Sequence, residues 1–330
     1  MRNNKIFCST HFWETFIKDR NSLIKSFKPD TVDSIRCWLD YWTMIEQSSI
    51  NFEFDEEYLI NSDEEWLQRI WQGVTNGDRP EESIMFSCKA EKTYDDLLKT
   101  SPLLNTLYLT EVDVTSKYGM ISTSDQDYLN KREYFKDSGD AVEKGTPNSW
   151  EQLVSNSKHQ FNAMIVMDNY ILVDKLDFNL KQILNILLPD EIDIPLHLTI
   201  VTSTERVTSD EYLEMRRKRI MTYIREIRPN LSKGLMVEAY RIDKRYVHDR
   251  IILTNYMCIG AGGGFNLLHE DRDNEEVKAQ KSTKLNAVYP RFIHDDGKSD
   301  KWYNIVIKDI LKGLENISKS SKNRLLCFKD

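Results

Sequence analysis

The feature that most restricts the fold is a change of period at about residue 163. From there on, short apolar runs rich in β-branched residues alternate with longer amphipathic stretches. NAMIVMDNYILV supplies apolar β-type segments around Asp168 and Asn169, and DFNLKQILNILLP sets Leu180, Ile183, Leu184 and Leu187 on one side of a helix. LHLTIVTST reads as a buried strand. Residues 209–228 read as a long helix, with Thr208 and Glu211 at capping-box spacing. LMVEAYRI, YVHDRIILT and YMCIG continue the strand series, and DKWYNIVIKDILKGLENI closes it as an amphipathic helix. Strands separated by helical segments predict an α/β domain, a sheet with helices packed on its faces.

The first 135 residues follow no such rhythm. TVDSIRCWLDYWTMIEQ repeats apolar residues at helical spacing, and a second helix starts at Ser62, where Ser62 and Glu65 form a capping box. Residues 83–87 and 106–114 read as strands. A chain of 330 residues exceeds the usual size of a single core. The polar, aperiodic segment DSGDAVEKGTPNSW, residues 137–150, is the expected linker. It separates a smaller, helix-leaning α+β domain (1–136), expected to bind a protein partner, from the α/β domain (151–330). The acidic clusters at 55–57 and 63–65 fit first helical turns, where they oppose the helix dipole, better than a metal site; no metal and no cofactor is expected.

Composition narrows the setting. Mean hydropathy is −0.55, and no apolar run reaches membrane-spanning length. The start MRNNKIFCSTHFWETF lacks a continuous apolar core of the signal-peptide kind. The expectation is a cytoplasmic protein without a transmembrane segment. The five cysteines include no C-x-x-C pair, which disfavours a zinc site. Net charge is −8, yet residues 211–250 hold eleven Lys or Arg against six Asp or Glu. Within that basic region Arg216, Arg217 and Arg219 lie on a helix whose Leu213, Ile220, Ile224 and Ile227 form a core stripe. They are the expected contacts to a nucleic-acid backbone.

The stretch with most chemical content is RYVHDRIILTNYMCIGAGGGFNLL, residues 245–268. Read as a strand, it presents His248 and Arg250 on one face and Asp249 on the other. A histidine so placed can attack phosphorus while a neighbouring cation holds the phosphoryl oxygens. Glycines at 260 and 262–264 allow backbone N–H groups to approach the same anion. A dinucleotide fingerprint fails because Phe265 occupies the last glycine position, and no Gly-Lys-Ser/Thr follows for a P-loop. His197, among apolar neighbours in LHLTI, reads as structural, and His294 in RFIHDDGKSD as a solvated loop residue.

These residues resemble the phospholipase D superfamily motif, H-x-K-x4-D followed by a strand and a G-S-x-N turn. His248 falls on the histidine, Arg250 on the lysine, Asn255 on the aspartate, and Gly260 with Ala261 on the turn. The resemblance implies a phospholipase D-like fold for the C-terminal half, with His248, Arg250 and Asn255 at a catalytic site and Arg250, Gly260, Gly262, Gly263 and Gly264 around the phosphate. Three departures alter what it implies for activity. Arginine stands for lysine, asparagine for an acid, and one H-x-(K/R) unit is present where active members unite two. The H-D-R variant is similar to the phospholipase D-like domain at the C terminus of microtubule-interacting-and-trafficking proteins, a phosphoinositide-binding module. The expected function is therefore a degenerate module that recognises phosphodiester, as nucleic acid in a prokaryotic defence or mobile-element system. The alternatives are a phosphodiesterase completed by a homodimer, with His248 as nucleophile, and a phosphoinositide-binding module.

Overall fold

The computed structural model describes residues 5–9, 50–54, 84–89, 106–109, 119, 149–154, 158–173, 177–247, 249–255, 257–271, 276–279, 285–288 and 298–326. The chain divides into two compact units, Met1–Asn130 and Lys131–Asp330.

In the first unit, β1 (Lys5–Ser9), β2 (Ile50–Phe54), β3 (Ile84–Lys89) and β4 (Thr106–Leu109) form a sheet in the order β2-β3-β1-β4. The strands expected at 83–87 and 106–114 correspond to β3 and β4. All the pairings are parallel, the arrangement of α/β sheets rather than of the α+β class expected. The helices expected in this half and both acidic clusters lie outside the described residues.

The second unit holds a six-stranded sheet of β5 (Ala163–Met167), β6 (His197–Ser203), β7 (Met236–Ile242), β8 (Ile251–Thr254), β9 (Cys258–Ala261) and β12 (Leu285–Val288), in the order β12-β9-β8-β5-β6-β7. A separate antiparallel pair comprises β10 (Leu268–Asp271) and β11 (Glu276–Ala279). β5, β6 and β7 are parallel, and β8, β9 and β12 join them antiparallel. The sheet is thus mixed, and with its flanking helices the unit is α/β as the alternating pattern predicts.

Local sequence explains the layout. All residues of β5 and β6 are buried, as central strands covered on both faces require. The chain passes from β5 through α2 (Phe178–Leu187) to β6, and through α3 (Asp210–Ile227) to β7. The two successive crossovers run in the same direction and α2 touches α3, as right-handed connections that put both helices on one face require. The cap of α3 is Ser209, whose hydroxyl accepts from the Tyr212 N–H at 3.2 Å, one residue later than the expected Thr208. The closing helix, α4 (Lys298–Asn316), packs so tightly on β7 that a Cβ on Gly313 would meet Ile242 Cδ1 at 2.5 Å. Among the described residues no helix is long and apolar enough to cross a membrane.

The end of the expected linker is part of the core. Trp150 opens α1 (Trp150–Val154), is fully buried, donates its indole N–H to Asn179 Oδ1 at 2.8 Å and packs 6.2 Å from the Phe265 ring. An indole that can bury its ring and satisfy its one donor is better placed inside than in a solvated tether. Residues 137–148 lie outside the described residues.

After α4 the chain returns across the sheet. Asn323, fully buried, donates to Met164 O and Thr199 Oγ1, both at 3.0 Å, and Arg324 donates to Asn162 O at 3.1 Å. His197 is buried beside this segment, as its apolar neighbours suggested. Burial, then the Arg324 charge, lowers its pKa from 6.5 to about 4. Below pH 6.5 the unfolded chain takes up a proton that the folded chain refuses until about pH 4, so stability present above 6.5 is lost as pH falls through that window. The loss at pH 5 is expected to be about 2 kcal/mol. Urea midpoints measured from pH 7 to pH 5 should fall less steeply in His197→Gln than in the wild type; equal slopes would show that another group is responsible.

Candidate functional site

The strand order sets a switch point beside β5, the position at which a crevice is expected in open α/β sheets. From β5 the chain steps to β6 on one side, while β8 lies on the other. Loops leaving the carboxyl ends of such strands diverge, and ligands of open α/β sheets bind in the gap. Met167 pairs with Ile251 and Ile251 with Gly260, so the turn after β5, the residue before β8 and the loop after β9 all reach this end of the sheet.

Asp168, at the end of β5, organises the crevice. Its side chain is fully buried; Oδ1 accepts from the N–H groups of Tyr170 at 2.5 Å and Ile171 at 3.2 Å, and Oδ2 from Phe265 N–H at 2.6 Å. The carboxylate therefore fastens the β5 turn to the glycine-rich loop. Burial raises its pKa above the usual carboxylate value, opposed by these N–H groups and by the Arg250 charge. Asn266 adds a second fastening, donating to Tyr170 O at 2.7 Å. Asn169 donates to Val247 O at 3.1 Å and so holds the residue preceding His248. Gly264, at φ 107°, lies so close that a Cβ there would be 3.0 Å from Asp168 Oδ2.

Arg250 stands just before β8, where its carbonyl accepts from Ala261 N–H at 2.9 Å. Its Nη1 donates to Gly262 O at 2.9 Å, and its guanidinium carbon is 5.7 Å from the centre of the Tyr170 ring. The Nε–H is buried and finds no acceptor among the described residues. Arg206, from the turn after β6, approaches the same ring at 4.7 Å and donates to the Tyr170 hydroxyl at 2.9 Å. Each guanidinium is attracted to the ring electrons. Gly262 and Gly263 are exposed beside Arg250. Among the described residues nothing accepts from the N–H groups of Gly262, Gly263 or Gly264.

The residues singled out from sequence are distributed as follows. His248 lies outside the described residues. β8 begins at Ile251, so Arg250 precedes the strand, and Asp249 is an exposed bend residue. Arg250 and Gly262 to Gly264 do come together. Gly260 belongs to β9, paired with Ile251 and Asn286, and is sheet rather than loop.

Asn255 is at the opposite end of β8, roughly 16 Å along the strand from Arg250. Fully buried, it accepts from the N–H groups of Asn162 at 3.1 Å and Ala163 at 2.8 Å and donates to Asn162 Oδ1 at 3.0 Å. It clasps the start of β5 and is no part of the crevice.

The basic helix also differs from expectation. Arg216 is buried in an ion pair with Asp177 and lies off any surface a polyanion could follow. Arg217 is held by Glu214 at 2.7 Å and Val237 O at 3.0 Å, and Arg219 lies 3.4 Å from Asp177. These charges are largely spent within the fold.

Asp168, Tyr170, Arg206 and Asn266 escaped the sequence reading. One signal was visible: Asp168 and Asn169 interrupt an otherwise wholly apolar run at a strand end, where ligand-facing groups of α/β sheets collect. Among the described residues no group of three or more His, Cys, Asp or Glu is placed to hold a metal. No protein-family model, no curated protein and no solved structure matches the chain.

Proposed function

We propose that the second unit is a degenerate phospholipase D-like module that recognises the phosphodiester backbone of nucleic acid by binding rather than by turnover, and that the first unit engages a protein partner. The observation that carries this reading is Arg250: a guanidinium whose buried Nε–H finds no acceptor among the described residues, beside an exposed glycine loop and an aromatic ring, at the sheet end where ligands of this architecture bind. Arginine matches the planar, two-oxygen face of a phosphate and cannot give up its charge, which suits retention of an anion. Turnover is disfavoured because the lysine of the motif is replaced and Asn255 serves the sheet. Losing a single donor matched to the transition state costs about 10²- to 10³-fold in rate.

Binding of a labelled single-stranded DNA and hydrolysis of bis(p-nitrophenyl) phosphate, measured on the same protein, test the reading. Expected are salt-sensitive DNA binding, about tenfold weaker in Arg250→Ala, and hydrolysis too slow to separate from that of His248→Ala. DNA affinity indifferent to Arg250→Ala would refute the binding role. Robust hydrolysis abolished by His248→Ala would replace it with the two-chain phosphodiesterase.

A further inference from the structure

We infer that Arg206 is the second phosphate-binding cation of this crevice, so that one chain alone completes the clamp; the inference rests on the phosphate reading of Arg250.

Three observations lead to it. The first is charge left over. Arg216, Arg217, Arg219, Arg228, Arg241 and Arg245 each have a carboxylate within ion-pair distance. Arg206 and Arg250 have none among the described residues; Arg225 shares this lack but is an exposed residue of α3. Glu205, the neighbour of Arg206 in sequence, is bound to Lys244 at 2.9 Å. Asp168, which bears on Arg250, is sealed behind the turn and occupied by backbone N–H groups.

The second is convergence. Both guanidinium carbons lie against Tyr170, at 4.7 and 5.7 Å from its ring centre, which holds them within about 10 Å of each other. Two like charges drawn together repel, and an anion between them turns that repulsion into attraction. The third is aim. Arg206 reaches the crevice from the carboxyl end of β6 and Arg250 from the start of β8, the two strands that lie on either side of β5. Tyr170 is the positioning residue: its hydroxyl fixes Arg206, while the bond from Asn266 fixes its own backbone.

The ligand chemistry this favours is a phosphodiester anion held by two guanidinium groups, with nucleic acid as its source.

The test is a titration of the 330-residue chain with a ten-nucleotide single-stranded DNA over a range of salt, comparing wild type, Arg206→Gln, Arg250→Gln, the double variant and Tyr170→Phe. The Arg206 side chain is exposed and among the described residues hydrogen-bonds only to Tyr170, so its variant should melt with the wild type. Each single Gln variant is expected to bind about tenfold more weakly at low salt, with the salt slope reduced by about 0.7. The double variant should lose less than the product of the single losses, because both groups hold one phosphate. Tyr170→Phe, which frees Arg206 but keeps the ring, should fall between wild type and Arg206→Gln. If Arg250→Gln weakens binding and Arg206→Gln does not, the Arg206 assignment is wrong while the phosphate reading stands. Strictly multiplicative losses would put the two arginines on separate phosphates and overturn the shared clamp. No binding by the wild type would remove the underlying reading. Preference for phosphatidylcholine vesicles carrying phosphatidylinositol 4-phosphate would overturn nucleic acid as the source.

Discussion

Gly264→Ala is expected to cost roughly 3 kcal/mol of stability and to weaken anion binding in the molecules that remain folded. Two effects combine. At φ 107° an L side chain is strained whatever space surrounds it, and the added methyl would sit 3.0 Å from Asp168 Oδ2 and 3.5 Å from Arg250 Cδ. The carboxylate has little freedom to retreat, since Tyr170, Ile171 and Phe265 hold it from three backbone positions. Relief therefore requires the loop to move off the β5 turn or Arg250 to swing away from Gly262, and both degrade the crevice. Gly262 and Gly263 provide the control: both are exposed and neither has a positive φ, so alanine at either should change stability by no more than about 0.5 kcal/mol. Urea unfolding of the three variants reads the difference. A Gly264→Ala protein as stable as Gly262→Ala would show that the loop is not fastened to Asp168 as described.

This contrast marks the limit of what the glycine-rich run alone conveyed. Four glycines within five residues announce a turn, yet only the partner of Gly264, a carboxylate nearly a hundred residues earlier, distinguishes it from the others. The strands from 163 to 261 and the helices between them were legible because burial on one or both faces writes itself into period and β-branching. The pairing of Tyr170 with Arg206 and Arg250 was not, since no local pattern links the turn after one strand to the turn after the next. Asn255 was misread for a related reason. An amide that closes the end of a strand and an acid that serves a site occupy the same place in a motif, and only its bonds to Asn162 and Ala163 tell which it is. The helical stripe did hold a missed signal. Arg216 falls in register with Leu213, Ile220 and Ile224 on the buried face, so its spacing pointed inward while its charge suggested solvent.

That register leads to the largest single effect expected. Arg216→Ala should destabilise the protein by about 3–5 kcal/mol, the cost of removing one partner of a buried ion pair. Asp177 is fully buried, its backbone stands at φ 56° at the entry to α2, and it also lies 3.4 Å from the partly exposed Arg219. Arg217→Ala, which breaks an i,i+3 pair near the surface, should cost under about 1 kcal/mol. Replacing both buried partners, Asp177→Asn with Arg216→Met, should recover much of the loss. Asparagine tolerates the left-handed backbone, methionine keeps much of the volume, and neither charge of the buried pair remains. The comparison also separates structure from recognition. If Arg216 only holds α3 to the start of α2, the double variant regains stability and binds DNA like the wild type. A double variant that folds and melts normally but has lost DNA affinity would mean that Arg216 turns outward to meet the phosphate backbone, in which case the basic helix, and not the crevice at Arg250, would be the principal binding surface.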